Sequence, residues 1–390
     1  MFDADRHMPC LQIEQSTNYI RGVEDCLVVS IYTPKLPSKE DSLLPVLVWL
    51  HGNEFHRGSG NADMQGPNRI MDYQVIMVTM NFRLGPLGFL TSEDDSLPGN
   101  LGLWDQKLAL EWIQLNIASF GGDPEKVTIA GSGAGGTSAL LHYISPYSRG
   151  LFRSVISLSP TSFPSNNVSL YTEAMMLKLG CEKEQKILDC LNTKTSEAFV
   201  RKAYMFTTPY MDFAPMPFTA IIDDFATKSF VPLHPLHAVQ KGLFNDVPLI
   251  IGHNRDEGAS ILTKLVHNST IFDHFLKHWN KIAPVMIFNK LDQDLKDEHV
   301  QAIKKLNHRY FGQESGPKSR GNFLANFGQF YTDAKVGFYT HYIANELYDK
   351  SDSPIFQYIY SHAGSLSLAE VVHLDFWQVL WKVIFQSKLS

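Results

Sequence analysis

Short runs of β-branched and aliphatic residues alternate with helical patterns over the first 160 residues. Val46–Leu50 and Val75–Met80 read as buried strands, since each is almost uninterrupted in apolar residues and too short for a helix. Lys126–Ala130 and Ser154–Ser159 read as two further strands, and later ones are predicted at Val247–Ile251 and Pro354–Tyr360. Trp104, Leu108, Trp112 and Leu115 recur at helical spacing, which predicts an amphipathic helix through Asp105–Ile117. Strands separated by helices imply a mainly parallel sheet covered on both faces. The stretches 161–246 and 259–350 are longer, more helical and less regular, and read as insertions packed over one side of that sheet. No internal repeat or low-complexity tract interrupts the pattern.

Composition narrows the class. A chain of 390 residues, 44% of them hydrophobic, can bury a large core in one α/β domain or two smaller ones. A net charge of −6 leaves no basic footprint for nucleic acid. No apolar run approaches the roughly 20 residues of a membrane span. The first residues, Met1 to Arg6, are charged and carry no apolar signal-peptide core. No metal or cofactor is predicted.

The four cysteines, Cys10, Cys26, Cys181 and Cys190, allow three connectivities, and four buried thiols are equally open. Two sequons, at Asn167 and Asn268, would accept glycans in a secreted chain. Cysteines and sequons together lean towards an extracellular protein.

The chemistry centres on residues 131–136, Gly-Ser-Gly-Ala-Gly-Gly, directly after the strand Lys126–Ala130. An α/β-hydrolase would read G-x-S-x-G here, with the serine at the apex of a sharp strand-to-helix turn. The apex position holds Gly133. Glycine accepts the strained conformation of that apex more easily than serine does, so the turn survives while the attacking oxygen is absent. Ser132 lies one residue too early, and its side chain should point to the opposite side of the strand end.

The surrounding motifs resemble the type-B carboxylesterase family, which includes the cholinesterases. Glu24-Asp25-Cys26-Leu27 followed by Tyr32 and Pro34 is similar to the E-D-C-L signature. His51-Gly52-Asn53-Glu54-Phe55 is similar to H-G-G-G-F, and Asn81-Phe82-Arg83-Leu84-Gly85 to N-Y-R-x-G. Gly99-Asn100-Leu101-Gly102 through Gln106 and Phe120-Gly121-Gly122-Asp123-Pro124 follow in the family's order, over about residues 8–376.

The resemblance implies an α/β-hydrolase fold as one domain over 1–390, incomplete at both termini. It implies local bridges Cys10–Cys26 and Cys181–Cys190. The family's Ser-Glu-His triad would place its acid at Glu257 and its base at His373, the nucleophile position being Gly133. Without the resemblance, Glu257 reads as a solvated loop carboxylate and His373 as a packing or surface histidine. The oxyanion hole would be built at positions 53, 54 and 134. Asn53 and Glu54 replace glycines there, so side chains crowd a substrate carbonyl and a carboxylate opposes an oxyanion. Ala134 keeps its backbone donor. Residues 11–25 contain no tryptophan, so recognition of choline by cation–π contact through that loop is not supported.

Non-catalytic members of the family, such as neuroligins, glutactin and neurotactin, show a comparable loss, and neuroligins a very similar turn. The reading is therefore an inactive esterase-like module of the extracellular space, binding another protein in the manner of an adhesion molecule. Two alternatives stand beside it: an ester hydrolase with residual or rerouted activity, and a protein that sequesters a small ligand. The oligomeric state is left open.

Overall fold

The computed structural model describes residues 8–14, 19–38, 42–161, 163–164, 169–181, 187–206, 217–266, 269–288 and 295–362. The chain divides into two compact units. The first comprises Met1–Thr208, Met216–Gly252 and Tyr339–Tyr358, and the second Pro209–Pro215, His253–Phe338 and Ile359–Ser390.

Among the described residues a small antiparallel pair, β1 (Gln12–Ile13) and β2 (Ile20–Arg21), precedes the main sheet. Among the described residues the main sheet has seven strands: β3 (Val29–Tyr32), β4 (Leu44–Leu50), β5 (Ile76–Met80), β6 (Gly122–Ser132), β7 (Ser154–Leu158), β8 (Leu249–Asn254) and β9 (Ile355–Tyr360). Their spatial order is β3-β5-β4-β6-β7-β8-β9. β3 runs antiparallel to β5, whereas the β5–β4, β4–β6, β6–β7 and β7–β8 pairs are parallel. Every residue of β5 is buried. Such a strand needs the continuous apolar run that the sequence shows at this position.

Helices flank the sheet. Leu101–Asn116 begins four residues before the predicted start, because Asn100 takes a left-handed conformation (φ 54°) and releases the chain directly into the helix. The orientation of this helix corrects the sequence reading more deeply. Its core-facing residues are Leu103, Gln106, Leu110 and Ile113, while Leu108, Trp112 and Leu115 are exposed. The helix carries two apolar stripes, and the more regular one faces outwards.

A guanidinium–carboxylate pair ties this helix to the strand ends. Arg83 donates from Nε to Asp105 Oδ2 (2.8 Å) and from an Nη to Oδ1 (2.7 Å), and its backbone N–H also reaches Oδ2 (3.0 Å). Asp105 is buried, and the bidentate geometry compensates its loss of water.

The second unit is helical. Trp279–Phe288, Asp297–Phe311 and Arg320–Tyr331 enclose an aromatic core in which Trp279 meets Phe275, Phe311, Phe323 and Phe330 edge-on or tilted. Trp279 donates its indole N–H to Asn307 Oδ1 at 2.9 Å, so the one polar atom of that ring is satisfied. Among the described residues no helix is long and apolar enough to cross a membrane.

Both local disulfides are formed, Cys10–Cys26 and Cys181–Cys190.

Candidate active site

β6 ends at Ser132, and the helix Ala134–Ile144 starts at once, with Gly133 as the hinge between them. Gly133 has φ 59° and ψ −122°, a conformation that residues with a Cβ adopt at a cost on the order of 1–3 kcal/mol. Its N–H donates to Leu158 O at 3.0 Å, and its carbonyl accepts from Thr137 N at 2.9 Å. The turn is thus pinned from both sides without any side chain at 133.

The close approach of helix to sheet depends on Gly135. A Cβ there would lie 2.1 Å from Leu50 O, so no larger residue fits. Gly133 is different. A Cβ at 133 would meet only Thr161 Oγ1, at 3.7 Å, which is ordinary contact. Space for a Cβ is present, although the positive φ strains any side chain placed there. Ser132 is exposed at the end of β6.

The loop after β4 has an unusual backbone. Asn53, Glu54 and Phe55 have φ of 66°, 55° and 63°, three consecutive non-glycine residues in left-handed backbone. For L-residues this costs roughly 1–2 kcal/mol each, less for asparagine. The loop follows a path that glycine adopts most easily, with side chains at all three positions. It is held by Phe55, which is buried, tilts against Phe89 at 4.9 Å and accepts from Gly85 N at 2.8 Å. Asn53 is exposed and Glu54 half-buried.

Thr161 joins this loop to the turn. Its hydroxyl donates to Glu54 Oε1 at 3.2 Å, and its carbonyl accepts from the Thr137 hydroxyl. Thr161 therefore stands beside the turn at Gly133 and holds the Asn53–Phe55 loop at the same time. The motif-based reading passed over Thr161, which belongs to no signature. The available signal was its place just beyond β7, at the carboxyl end of the strand beside β6.

Two histidines lie in this loop. His51 is buried and stacks on Phe82 at 4.2 Å. Burial, only partly offset by the Gly52 backbone, lowers its pKa to about 4. His56 donates from Nε2 to Pro217 O, and burial again lowers its pKa to about 4, helped by the nearby Arg57 charge. Both are neutral at physiological pH.

Glu257 belongs to the second unit, where its Oε1 accepts from Asn254 N at 2.7 Å and Asn254 Nδ2 at 3.0 Å. His373, Asn167 and Asn268 lie outside the described residues. The structure thus gathers Asn53, Glu54, Gly133 and Ala134 around one turn and adds Thr161 to them. Among the described residues no group of three metal-type ligands occurs.

The match to the carboxylesterase family model runs over residues 2–389. The chain belongs to the carboxylesterase family. This carboxylesterase-family chain is 33% identical over 363 residues to venom carboxylesterase-6 of Apis mellifera, covering 91% of this chain and 63% of that one. It is 32% identical over 370 residues to juvenile hormone esterase of Tribolium castaneum, covering 90% and 61%. It spans less than two thirds of the length of these relatives.

Among solved structures, the juvenile hormone esterase of Manduca sexta with OTFP covalently attached superposes with a TM-score of 0.78 at 24% identity, covering 98% of this chain and 73% of that one. A PNB esterase gives 0.67 at 26% identity, with coverage of 92% and 69%. The fold is the α/β-hydrolase fold of esterases, a mostly parallel sheet flanked by helices.

Proposed function

We propose that this chain is a carboxylesterase-family protein that binds rather than hydrolyses, as one esterase-type domain over residues 1–390. The observation that carries the reading is Gly133: the apex of the elbow holds no hydroxyl although the turn around it is intact. Loss of a triad nucleophile lowers turnover by roughly a millionfold. Asn53 and Glu54 add a second obstacle where an oxyanion would need bare backbone donors. Glu257 and His373 are, in this reading, remnants of the triad acid and base.

The partner we propose is another extracellular protein, engaged in the manner of an adhesion module. The two disulfides support an oxidising compartment, as does the venom origin in the name of one relative. Glycans at Asn167 and Asn268 belong to the same proposal.

The esterase names of the relatives favour a second reading, ester hydrolysis through a rerouted nucleophile. Sequestration of a small ligand is a third. Short-chain aryl esters and a fluorophosphonate probe separate them. Hydrolysis no faster than buffer and no covalent label are expected. Turnover well above buffer, or a labelled side chain, overturns the binding reading. An extracellular interaction screen with the full chain then tests its positive half.

A further inference from the structure

The apolar stripe on the outside of Leu101–Asn116 has no place in the esterase site. Successive helical residues are 100° apart, so Leu108, Trp112 and Leu115 fall within about 60° of one another. Leu103, Gln106, Leu110 and Ile113, which face the core, lie on the opposite side. Leu115 is 83% exposed, Leu108 61% and Trp112 36%. Phe120, 38% exposed in the turn that follows, extends the stripe by placing its ring 6.1 Å from that of Trp112. Such an outward apolar line on a well-packed helix marks an interaction surface.

We propose that this stripe is a dimerisation surface whose occupant is the same stripe of a second copy of the chain. Three observations select that occupant.

The stripe is self-complementary. Two copies crossing antiparallel at Trp112 would bring Leu108 of one helix against Leu115 of the other, and Leu115 against Leu108, as an isologous contact requires.

Its charges are spent within the protomer. The helix carries only Asp105, Lys107 and Glu111. Asp105 is held by Arg83, and Lys107 pairs with Glu111 at 2.5 Å. Two such faces can meet without like charges opposing, even though the chain is net negative. The same census disfavours a lipid surface, because an interfacial helix flanks its apolar face with Lys and Arg.

The area suffices. The four exposed residues present about 500 Å² per copy, so their full burial in two copies closes about 1,000 Å², the lower bound of a specific interface, and rim contacts add to it. The expected dimer is therefore reversible and of modest affinity. This inference is independent of whether the chain hydrolyses esters.

Sedimentation equilibrium and light scattering of the full chain between about 1 and about 100 µM test the proposal. The mass-average is expected to rise from 44.0 kDa towards twice that value. Leu115→Glu, and separately Leu108→Lys, should raise the dissociation constant at least about tenfold with an unchanged thermal melt, because neither side chain is in the core. A wild-type chain that stays monomeric throughout overturns the proposal. So does a dimer that neither substitution weakens. A monomer that binds phosphatidylcholine vesicles through the stripe, losing them in Leu115→Glu, would give the face to lipid and overturn it equally.

Discussion

Thr161 Oγ1 lies 3.7 Å from the point where a Cβ on Gly133 would stand. The same hydroxyl donates to Glu54, so the turn at Gly133 and the loop after β4 share one neighbour. The two segments are therefore coupled in space, and a substitution in one leaves the other in place.

Gly133→Ser should fold, because the added Cβ makes only that ordinary contact. It should cost on the order of 1–3 kcal/mol for placing a side chain at φ 59°, ψ −122°. Its turnover of aryl esters is expected to remain at least about a hundredfold below that of Gly133→Ser combined with Asn53→Gly and Glu54→Gly, since oxyanion donors are worth that much. Steady-state kinetics of both variants decide. Equal rates would mean that the loop at 53–54 does not obstruct the hole.

The pair Asn53→Gly and Glu54→Gly should by itself stabilise the fold by about 1 kcal/mol. Both residues have left-handed φ, and glycine relieves that cost. Loss of the Thr161–Glu54 hydrogen bond offsets part of the gain. Urea unfolding measures the balance, and a clear loss of stability would show that Glu54 does more structural work than its bond to Thr161 accounts for.

The strands around the site were legible in the sequence because each is short, β-branched and bounded by turn residues, as in Ile76–Met80 and Ser154–Leu158. The elbow was legible because close packing dictates small residues at 135 and 136, leaving position 133 to be read in register. β3 was missed, since Val-Ser-Ile-Tyr at a sheet edge is half polar and too short to stand out. The outward stripe of Leu101–Asn116 misled the periodicity argument: Leu108, Trp112 and Leu115 form the cleaner apolar line, while the core side includes Gly102, Asp105 and Gln106. Polar residues satisfied by partners distant in sequence, such as Asp105 by Arg83, cannot be read as buried from periodicity alone. Thr161 was invisible for the same reason, because its importance lies in contacts 107 and 24 residues away.

Acid should destabilise the protein below neutral pH through His51 and His142. His142 is fully buried. It donates from Nε2 to Gln106 Oε1 at 3.1 Å and accepts at Nδ1 from Ser148 Oγ at 2.7 Å. Protonating Nδ1 would leave the serine hydroxyl facing a donor. Burial lowers the pKa of His142 to about 3 and that of His51 to about 4, both from 6.5. Between those values and 6.5 the unfolded chain binds protons that the folded chain refuses. The stabilisation is therefore complete above pH 6.5 and falls as pH drops through that window, by about 2 kcal/mol per histidine at pH 5. Unfolding free energies at pH 7.5 and 5 measure the slope, and His142→Asn should remove its share of it. A wild-type stability independent of pH over this range would contradict the neutral, buried assignment.

The disulfides make a compartment-dependent prediction. Cys10 and Cys26, 16 residues apart, enclose the β1–β2 pair, and Leu11 and Ile13 from this segment pack with Val200 as a small cluster apart from the main core. Cys10 and Cys26 themselves belong to the main core, and the cross-link adds stability by restricting the unfolded chain. Loop-closure entropy assigns about 3 kcal/mol to this bridge and about 2.5 kcal/mol to Cys181–Cys190, whose sequence separation is 9. Cys10→Ser with Cys26→Ser is therefore expected to cost slightly more than the other double substitution. It should also raise hydrogen exchange locally in β1 and β2 before the main sheet responds, since β5 and β6 are buried independently of it. Peptide mapping of secreted material without reductant should recover both pairs. Four free thiols in the native protein would remove the argument for an oxidising compartment, and with it the extracellular partner.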